Sequence, residues 1–117
     1  MIRAQFRRRN GHIASFTISG HGGQGPYGQD ILCAAVSALS QAAVLGLTDV
    51  VGIPVALEKK HGFLRCELPE DLDPRSRSGA AVLLETLLRS LKDLEQNYGD
   101  ALAVVEGSRG GDVDGFH

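Results

Sequence analysis

The chain has 117 residues, a length that fits one domain and leaves little room for a second. Apolar residues make up 43% and charged residues 22% of it, which is typical of a globular domain with one core. The net charge of −2 excludes a general attraction to nucleic acids or anionic membranes, so a partner must be recognised by a local site.

The predicted compartment is the cytoplasm. The N-terminal stretch MIRAQFRRRN alternates apolar and polar residues and lacks the apolar centre of a secretory signal. The longest mostly apolar segment, residues 31–47, is interrupted by polar side chains, so we expect no membrane span. Cys33 and Cys66 are therefore expected to be free thiols.

The chain begins with a predicted β-hairpin. Apolar residues occupy every second position over 2–6 and again over 14–18, which is the pattern of half-buried strands. Asn10-Gly11 between the two runs is typical of a two-residue hairpin turn.

A glycine-rich loop and a long helix follow. Residues 20–29 contain five glycines and one proline, so the loop is expected to be mobile or to need positions that a Cβ would block. A helix is predicted from Asp30 to about Gly46. Its apolar residues cover nearly the whole circumference, which predicts a central, buried helix.

The second half of the chain predicts two strands, a helix and a final strand, over residues 50–58, 64–68, 78–98 and 100–106. Glu85 and Arg89, four residues apart, are expected to pair on the exposed face of the second helix. The order ββαββαβ predicts an α+β fold, with two helices over one face of a mostly antiparallel sheet. We expect one domain over 1–107 and a disordered tail over 108–117.

Reactive residues are concentrated where the loop meets the first helix. Asp30 is predicted to be the N-cap, which would put Cys33 in the first turn, where the helix dipole favours a thiolate. Ser37 follows Cys33 by four residues and shares its helix face. If the loop folds over the helix start, His21 can serve as the base for Cys33 in acyl transfer.

Each of these residues has a simpler interpretation as well. A lone cysteine on an apolar helix is typically a small buried side chain, and Ser37 can bond back to its own turn. Asp30 can act as a cap and nothing more. Cys66 alternates with apolar residues on a strand and is predicted to lie in the core.

A non-catalytic function is the alternative. A glycine-rich loop that leads into a helix also holds phosphate groups, as in an RNA- or phosphate-binding assembly factor. No standard nucleotide-binding motif is present, and the histidines have no metal-ligand spacing, so we predict no cofactor and no metal. In either case an arginine cluster could contact ribosomal RNA; it comprises Arg3, Arg7, Arg8 and Arg9.

The sequence at residues 20–21 (GH) and 27–37 (YGQDILCAAVS) resembles the signature of the ribosomal-processing cysteine proteases named Prp. The similarity extends over most of the chain. It implies a homodimeric bacterial protease that removes a short N-terminal extension from large-subunit ribosomal protein twenty-seven. Association with the ribosome is a further expectation.

The resemblance also implies a role for each residue of the motif. His21 and Cys33 correspond to the catalytic pair, and Asp30 and Ser37 to supporting positions. The loop that closes over the substrate peptide would include Gly20, Gly22, Gly23, Tyr27 and Gly28.

Overall fold

The computed structural model describes residues 1–20 and 27–108, with only the backbone at 27–30 and at 108. The described part of the chain has the predicted order ββαββαβ. Its elements are β1 (Ile2–Arg9), β2 (His12–Ser19), α1 (Tyr27–Leu45), β3 (Ala56–Lys60), β4 (Phe63–Glu67), α2 (Pro74–Tyr98) and β5 (Leu102–Ser108).

The five strands form one sheet in the order β3-β4-β2-β1-β5. β1 pairs with β2, β2 with β4 and β3 with β4, all antiparallel, whereas β5 runs parallel to β1. The core lies on one face of this sheet, under the helices; the strand side chains buried there include Ile2, Ala4, Phe6, Phe16, Ile18, Leu64, Cys66 and Leu102. The predicted α+β fold is therefore confirmed.

The N-terminal hairpin forms as predicted. Asn10 and Gly11 have φ angles of 55° and 82°, so both central residues of the turn adopt the left-handed conformation. This turn matches the right-handed twist of the strands it joins, which explains why Asn-Gly is favoured there.

The bounds of α1 differ from the prediction at both ends. The helix begins at Tyr27, three residues before Asp30, so the prediction that Asp30 caps it was wrong. Gly46 does not end the helix, because the chain continues as a π-helical segment over Gly46–Val51 and stops at Gly52, with φ 88°. Gly46 is explained by packing, since a Cβ there would lie 2.8 Å from the Leu83 side chain.

Only one face of α1 is buried, so the prediction of a helix enclosed on all sides was wrong. Leu32, Val36 and Ala43 face the core. The opposite face is apolar but exposed; its residues are Ile31, Ala34, Ala38, Ala42 and Leu45. The side chains of Ile31 and Leu45 are 52% and 56% exposed.

This composition also changes the expectation about membranes. Residues 31–51 are long and apolar enough to cross a bilayer by length and composition, in spite of their polar interruptions. The core helix of a folded domain meets the same criterion, and a third of this segment is buried within the fold.

Two later elements begin at other residues than predicted. β3 begins at Ala56, because Ile53 is drawn into the core ahead of the strand and Pro54 follows it. α2 begins at Pro74, four residues early. The Asp73 carboxylate caps it by accepting a hydrogen bond of 2.8 Å from the Ser76 N–H, and a proline fits the first helical position.

Arg8 of β1 forms ion pairs with residues of α2 and β5. Its guanidinium lies 2.6 Å from the Glu85 carboxylate and 3.1 Å from that of Glu106. Lys92 also binds Glu106, at 2.6 Å. The carboxylate of Glu85 is thus held by Arg8 and not, as predicted, through a pair with Arg89. Hydrogen bonding to Arg8 lowers the pKa of Glu85, and hydrogen bonding to Lys92 and Arg8 lowers that of Glu106.

Candidate active site

Cys33 lies in the second turn of α1, as the seventh residue of the helix. This position is farther from the helix start than predicted, whereas the field of the helix dipole is concentrated in the first turn. The side chain is half-buried and packs against the edge of the core. Contacts with the core therefore fix one side of the Cys33 side chain, while part of that side chain remains accessible.

Ser37 lies one helical turn after Cys33 on the same side of α1. It lines a small cavity of about 40 Å³ between α1 and the hairpin formed by β3 and β4. The other lining residues are Ile18, Ser40, Gln41, Lys59, Lys60, Phe63 and Leu64. Ser37, one turn after Cys33, thus borders a narrow cleft beside the hairpin.

Gly20 fixes the point where the chain leaves β2 for the loop. Its φ is 88°, and a Cβ there would overlap the carbonyl oxygen of Met1, so a side chain is excluded. The N–H of Gly20 donates to the carbonyl of Gly62 at 3.1 Å, in the turn between β3 and β4. The loop therefore starts beside the hairpin that borders the cleft, and His21 is the next residue in the chain.

Part of the predicted site lies outside the described residues. His21, Gly22 and Gly23 belong to the segment 21–26, so the predicted contact between His21 and Cys33 lies there too. Tyr27 and Gly28 begin α1, and Asp30 is the fourth residue of that helix. The predicted tail also lies outside the described residues, except for Ser108, which ends β5.

Cys66 is a buried thiol, as predicted. It lies on β4 with 1% of its surface exposed, among the apolar side chains under the helices. Desolvation raises the pKa of Cys66 to about 11. At neutral pH this thiol is protonated and out of reach of a substrate.

Sequence reasoning missed the contribution of the β3–β4 hairpin. Lys59, Lys60 and Phe63 border the cleft, and the ammonium of Lys60 lies 5.4 Å from the centre of the Phe63 ring. Nothing in their spacing pointed to the site, because only the antiparallel pairing of β4 with β2 brings them beside α1. Within residues 1–20 and 27–108, no group of three or more His, Cys, Asp or Glu residues could hold a metal ion.

Comparison with known sequences identifies the family. The sequence profile described as Cysteine protease Prp matches residues 1–103. The Ribosomal processing cysteine protease Prp of Bacillus subtilis (strain 168) is 36% identical over 108 residues, which cover 90% of this chain and 96% of that protein.

Solved structures agree with the fold. A crystal structure of a Streptococcus mutans protein superposes with a TM-score of 0.83 at 31% identity, covering 93% of this chain and 96% of that one. The S. aureus protease Prp in complex with a substrate peptide superposes with a TM-score of 0.80, covering 91% and 99%. Its identity is 21%, so this likeness concerns the fold alone. From its sequence, this chain belongs to the Prp family of cysteine proteases.

Proposed function

We propose that Cys33 is the nucleophile of this protease and that His21 is its general base. The observation that carries the proposal is the contrast between the two thiols, because Cys66 is enclosed in the core whereas Cys33 is half-buried, one helical turn before Ser37. In the proposed reaction, the Cys33 sulfur attacks the scissile carbonyl and His21 takes the thiol proton. His21 then gives that proton to the leaving amine, and water hydrolyses the acyl-enzyme.

The remaining residues of the motif have supporting roles in this proposal. Asp30 lies one turn before Cys33 and would orient His21 rather than cap the helix, because the helix begins at Tyr27. The Ser37 hydroxyl would bind the peptide in the cleft. The loop that closes over the substrate would contain Gly20, Gly22 and Gly23, whereas Tyr27 and Gly28, predicted to lie in the loop, form the start of α1.

The proposed substrate is the N-terminal extension of large-subunit ribosomal protein twenty-seven, cleaved in the bacterial cytoplasm. The curated relative from Bacillus subtilis is named a ribosomal processing protease, which supports a ribosomal substrate. The S. aureus protease has been crystallised with a substrate peptide and with a covalently linked product peptide. A covalent link to a peptide is what a cysteine nucleophile forms, so both observations favour endopeptidase chemistry here.

We further propose that the protein is a homodimer that uses the exposed face of α1. The small residues Ala34, Ala38 and Ala42 lie between Ile31 and Leu45 along this face and would let a second helix approach closely. A contiguous apolar helix face in contact with water favours association. Cys33 lies on the same helix, so the interface would border the active site.

Sedimentation of an Ala38→Glu variant tests the dimer. The wild type should sediment as a dimer and the variant as a monomer, because a buried carboxylate at the interface lacks a partner. Gln96→Glu adds the same charge to an exposed position of α2 and should remain dimeric. A wild type that stays monomeric at high concentration, or an Ala38→Glu variant that stays dimeric, would exclude this interface.

Mass spectrometry of the ribosomal protein with its extension tests the catalytic assignment. The wild type and Cys66→Ala should make one cut near the N-terminus, and Cys33→Ala should make none. Because Cys66→Ala also removes a thiol, it controls for any general effect of the substitution. Cleavage by Cys33→Ala would exclude Cys33 as nucleophile, whereas no cleavage by the wild type would exclude this substrate.

A further inference from the structure

The sheet face opposite the helices carries a row of arginines. Arg3, Arg7 and Arg9 lie on the face of β1 that does not pack on the core. Gln5 occupies the position between Arg3 and Arg7 on that face. Arg65 on β4 pairs with Thr17 of β2, and Thr17 pairs with Gln5 of β1, so the arginine joins the same face. These four residues, Arg3, Arg7, Arg9 and Arg65, are called the arginine face below.

The structure changes which arginines belong together. Arg8 lies in the middle of the run in sequence but points to the helix side, where it binds Glu85 and Glu106. Arg65 is far away in sequence and joins the face through the pairing of β4 with β2. Strand pairing thus decides which arginines share this face, and the run of arginines in the sequence does not identify them.

This face is positive although the whole chain has a net charge of −2. On β1, β2 and β4 it carries four arginines and the carboxylate of Glu67, and on the edge strand β3 it carries a second carboxylate, that of Glu58, which pairs with Arg65. The Arg65 guanidinium is 3.4 Å from Glu67, and the Arg9 guanidinium is 3.7 Å from Glu70. The pair of Arg65 with Glu67 is exposed, and such pairs are weak, so an incoming polyanion can compete for Arg65. The Arg9 side chain is only 17% exposed and is less accessible.

Three of the four arginines, Arg7, Arg9 and Arg65, border an open groove. The groove has a volume of about 410 Å³ and crosses three strands; its walls comprise Gln5, Arg7, Arg9, Ala14, Ser15, Thr17, Arg65 and Glu67. Beyond Arg9, a second concavity of about 280 Å³ adds His12 and Arg77. The hydroxyl and amide groups between the arginines can donate to phosphate oxygens, as such groups commonly do.

We propose that the arginine face binds the phosphate backbone of RNA. Alternate residues of a strand are about 6.6 Å apart, so Arg7 and Arg9 are separated by one such step and Arg3 and Arg7 by two, along a line that a chain of phosphates can follow. Guanidinium groups bind phosphate oxygens in a bidentate manner. Within the described strands β1, β2 and β4, this face carries no exposed large apolar side chain, which disfavours an apolar protein interface.

The proposed RNA site is separate from the proposed active site. α1, which carries Cys33, lies on the core side of the sheet, and the arginine face lies on the other side. The enzyme could therefore hold RNA through the sheet while a peptide occupies the cleft beside α1. RNA binding in this form does not depend on the identity of the nucleophile.

Fluorescence anisotropy with a labelled 20-base-pair RNA duplex tests the proposal. The wild type should bind with an affinity that falls steeply as salt rises, because cations are released from the RNA. Arg3→Gln/Arg65→Gln should weaken binding at least about tenfold and reduce the salt slope by about two, since each lost phosphate contact removes about one. Arg75→Gln/Arg89→Gln removes two exposed arginines from α2 with the same change in net charge, and should bind like the wild type.

Three outcomes would overturn the proposal. They are no salt-dependent binding by the wild type, equal weakening in the two double variants, or competition by poly-glutamate as strong as that by unlabelled RNA. The last result would instead indicate an acidic protein partner. Cleavage of a short peptide should be unchanged in Arg3→Gln/Arg65→Gln, which separates this test from that of the catalytic residues.

Discussion

The two cysteines of this protein lie in opposite environments, although both belong to apolar patterns in the sequence: Cys33 on an apolar helix, and Cys66 in alternation with Leu64 and Leu68. Cys66 is on β4 between the sheet and the helices, with 1% of its surface exposed. Cys33 is on the N-terminal part of α1, half-buried, and one turn before a serine that lines a cleft. The difference comes from the position of each element in the fold and not from the residue type.

Their chemistry follows from these positions. Removal of water around Cys66 disfavours the thiolate and raises its pKa to about 11. Cys33 is at the border of the core, and part of its side chain is accessible. A thiol is a useful nucleophile only where it is accessible, so the burial of Cys66 excludes it from the role that we propose for Cys33.

The largest expected difference is in alkylation. A pH of 7 is about four units below the pKa of Cys66, so roughly one Cys66 thiol in ten thousand is ionised. We expect iodoacetamide to modify Cys33 at least about a thousandfold faster than Cys66 in the folded protein. Peptide mapping after timed quenching measures both rates. Comparable rates would mean that the contrast in accessibility does not exist in solution.

Replacement of His21 should slow the alkylation of Cys33 and leave that of Cys66 unchanged. If His21 stabilises the thiolate, His21→Ala should lower the alkylation rate of Cys33 about tenfold or more and abolish peptide cleavage. His61 is exposed in the turn between β3 and β4, so His61→Ala is the matched control and should react like the wild type. Equal rates in the His21→Ala variant and the wild type would remove His21 from the proposed pair.

The raised pKa of Cys66 predicts a pH dependence of stability. Folding favours the protonated thiol, so its contribution is complete below pH 9, the ordinary value, and is lost as the pH rises towards 11. The free energy of unfolding should fall by about 1.4 kcal/mol per pH unit in this window. Urea titrations of the wild type and Cys66→Ala at pH 8 to 10 measure the difference. Parallel curves would show that Cys66 does not titrate as a buried thiol.

Replacement of a cysteine by serine should lower the stability of the fold at Cys66 and have little effect at Cys33. Cys66→Ser should lower the free energy of unfolding by about 1–3 kcal/mol, because the hydroxyl is buried among apolar side chains. Cys33→Ser should change it by less than about 1 kcal/mol, since the side chain there is half-exposed. Chemical denaturation at pH 7 compares the two variants. A reversed order would contradict the burial of Cys66.

Much of the fold could be predicted from local patterns. The hairpin around Asn10-Gly11, the order of the elements and the burial of Cys66 all follow from alternation and turn chemistry. The start of α2 at Pro74 was within reach, because Asp73-Pro74 is a typical helix beginning that the prediction overlooked.

The remaining features depend on tertiary contacts. Gly46 resembles a helix stop in the sequence, but its lack of a side chain makes room for Leu83 of α2. In the sequence, the exposed apolar face of α1 resembles a buried face, because composition does not distinguish a face that packs on the core from one that remains exposed. The hairpin that borders the cleft beside Ser37 could not be found from spacing, because strand pairing alone brings it there.

The smallest expected effect compares two serines three residues apart on α1. Both line the cleft, but the hydroxyl of Ser40 is buried and donates to the Val36 carbonyl at 2.7 Å, whereas Ser37 is half-buried. If Ser37 donates one hydrogen bond to the peptide, Ser37→Ala should lower kcat/KM about 2- to 10-fold, which corresponds to roughly 0.5–1.5 kcal/mol. Ser40→Ala should leave kcat/KM unchanged, because its hydrogen bond is internal to the helix. Steady-state kinetics on a short peptide would detect this difference, and equal kcat/KM values in both variants would mean that the Ser37 hydroxyl contributes to the cleft by shape alone.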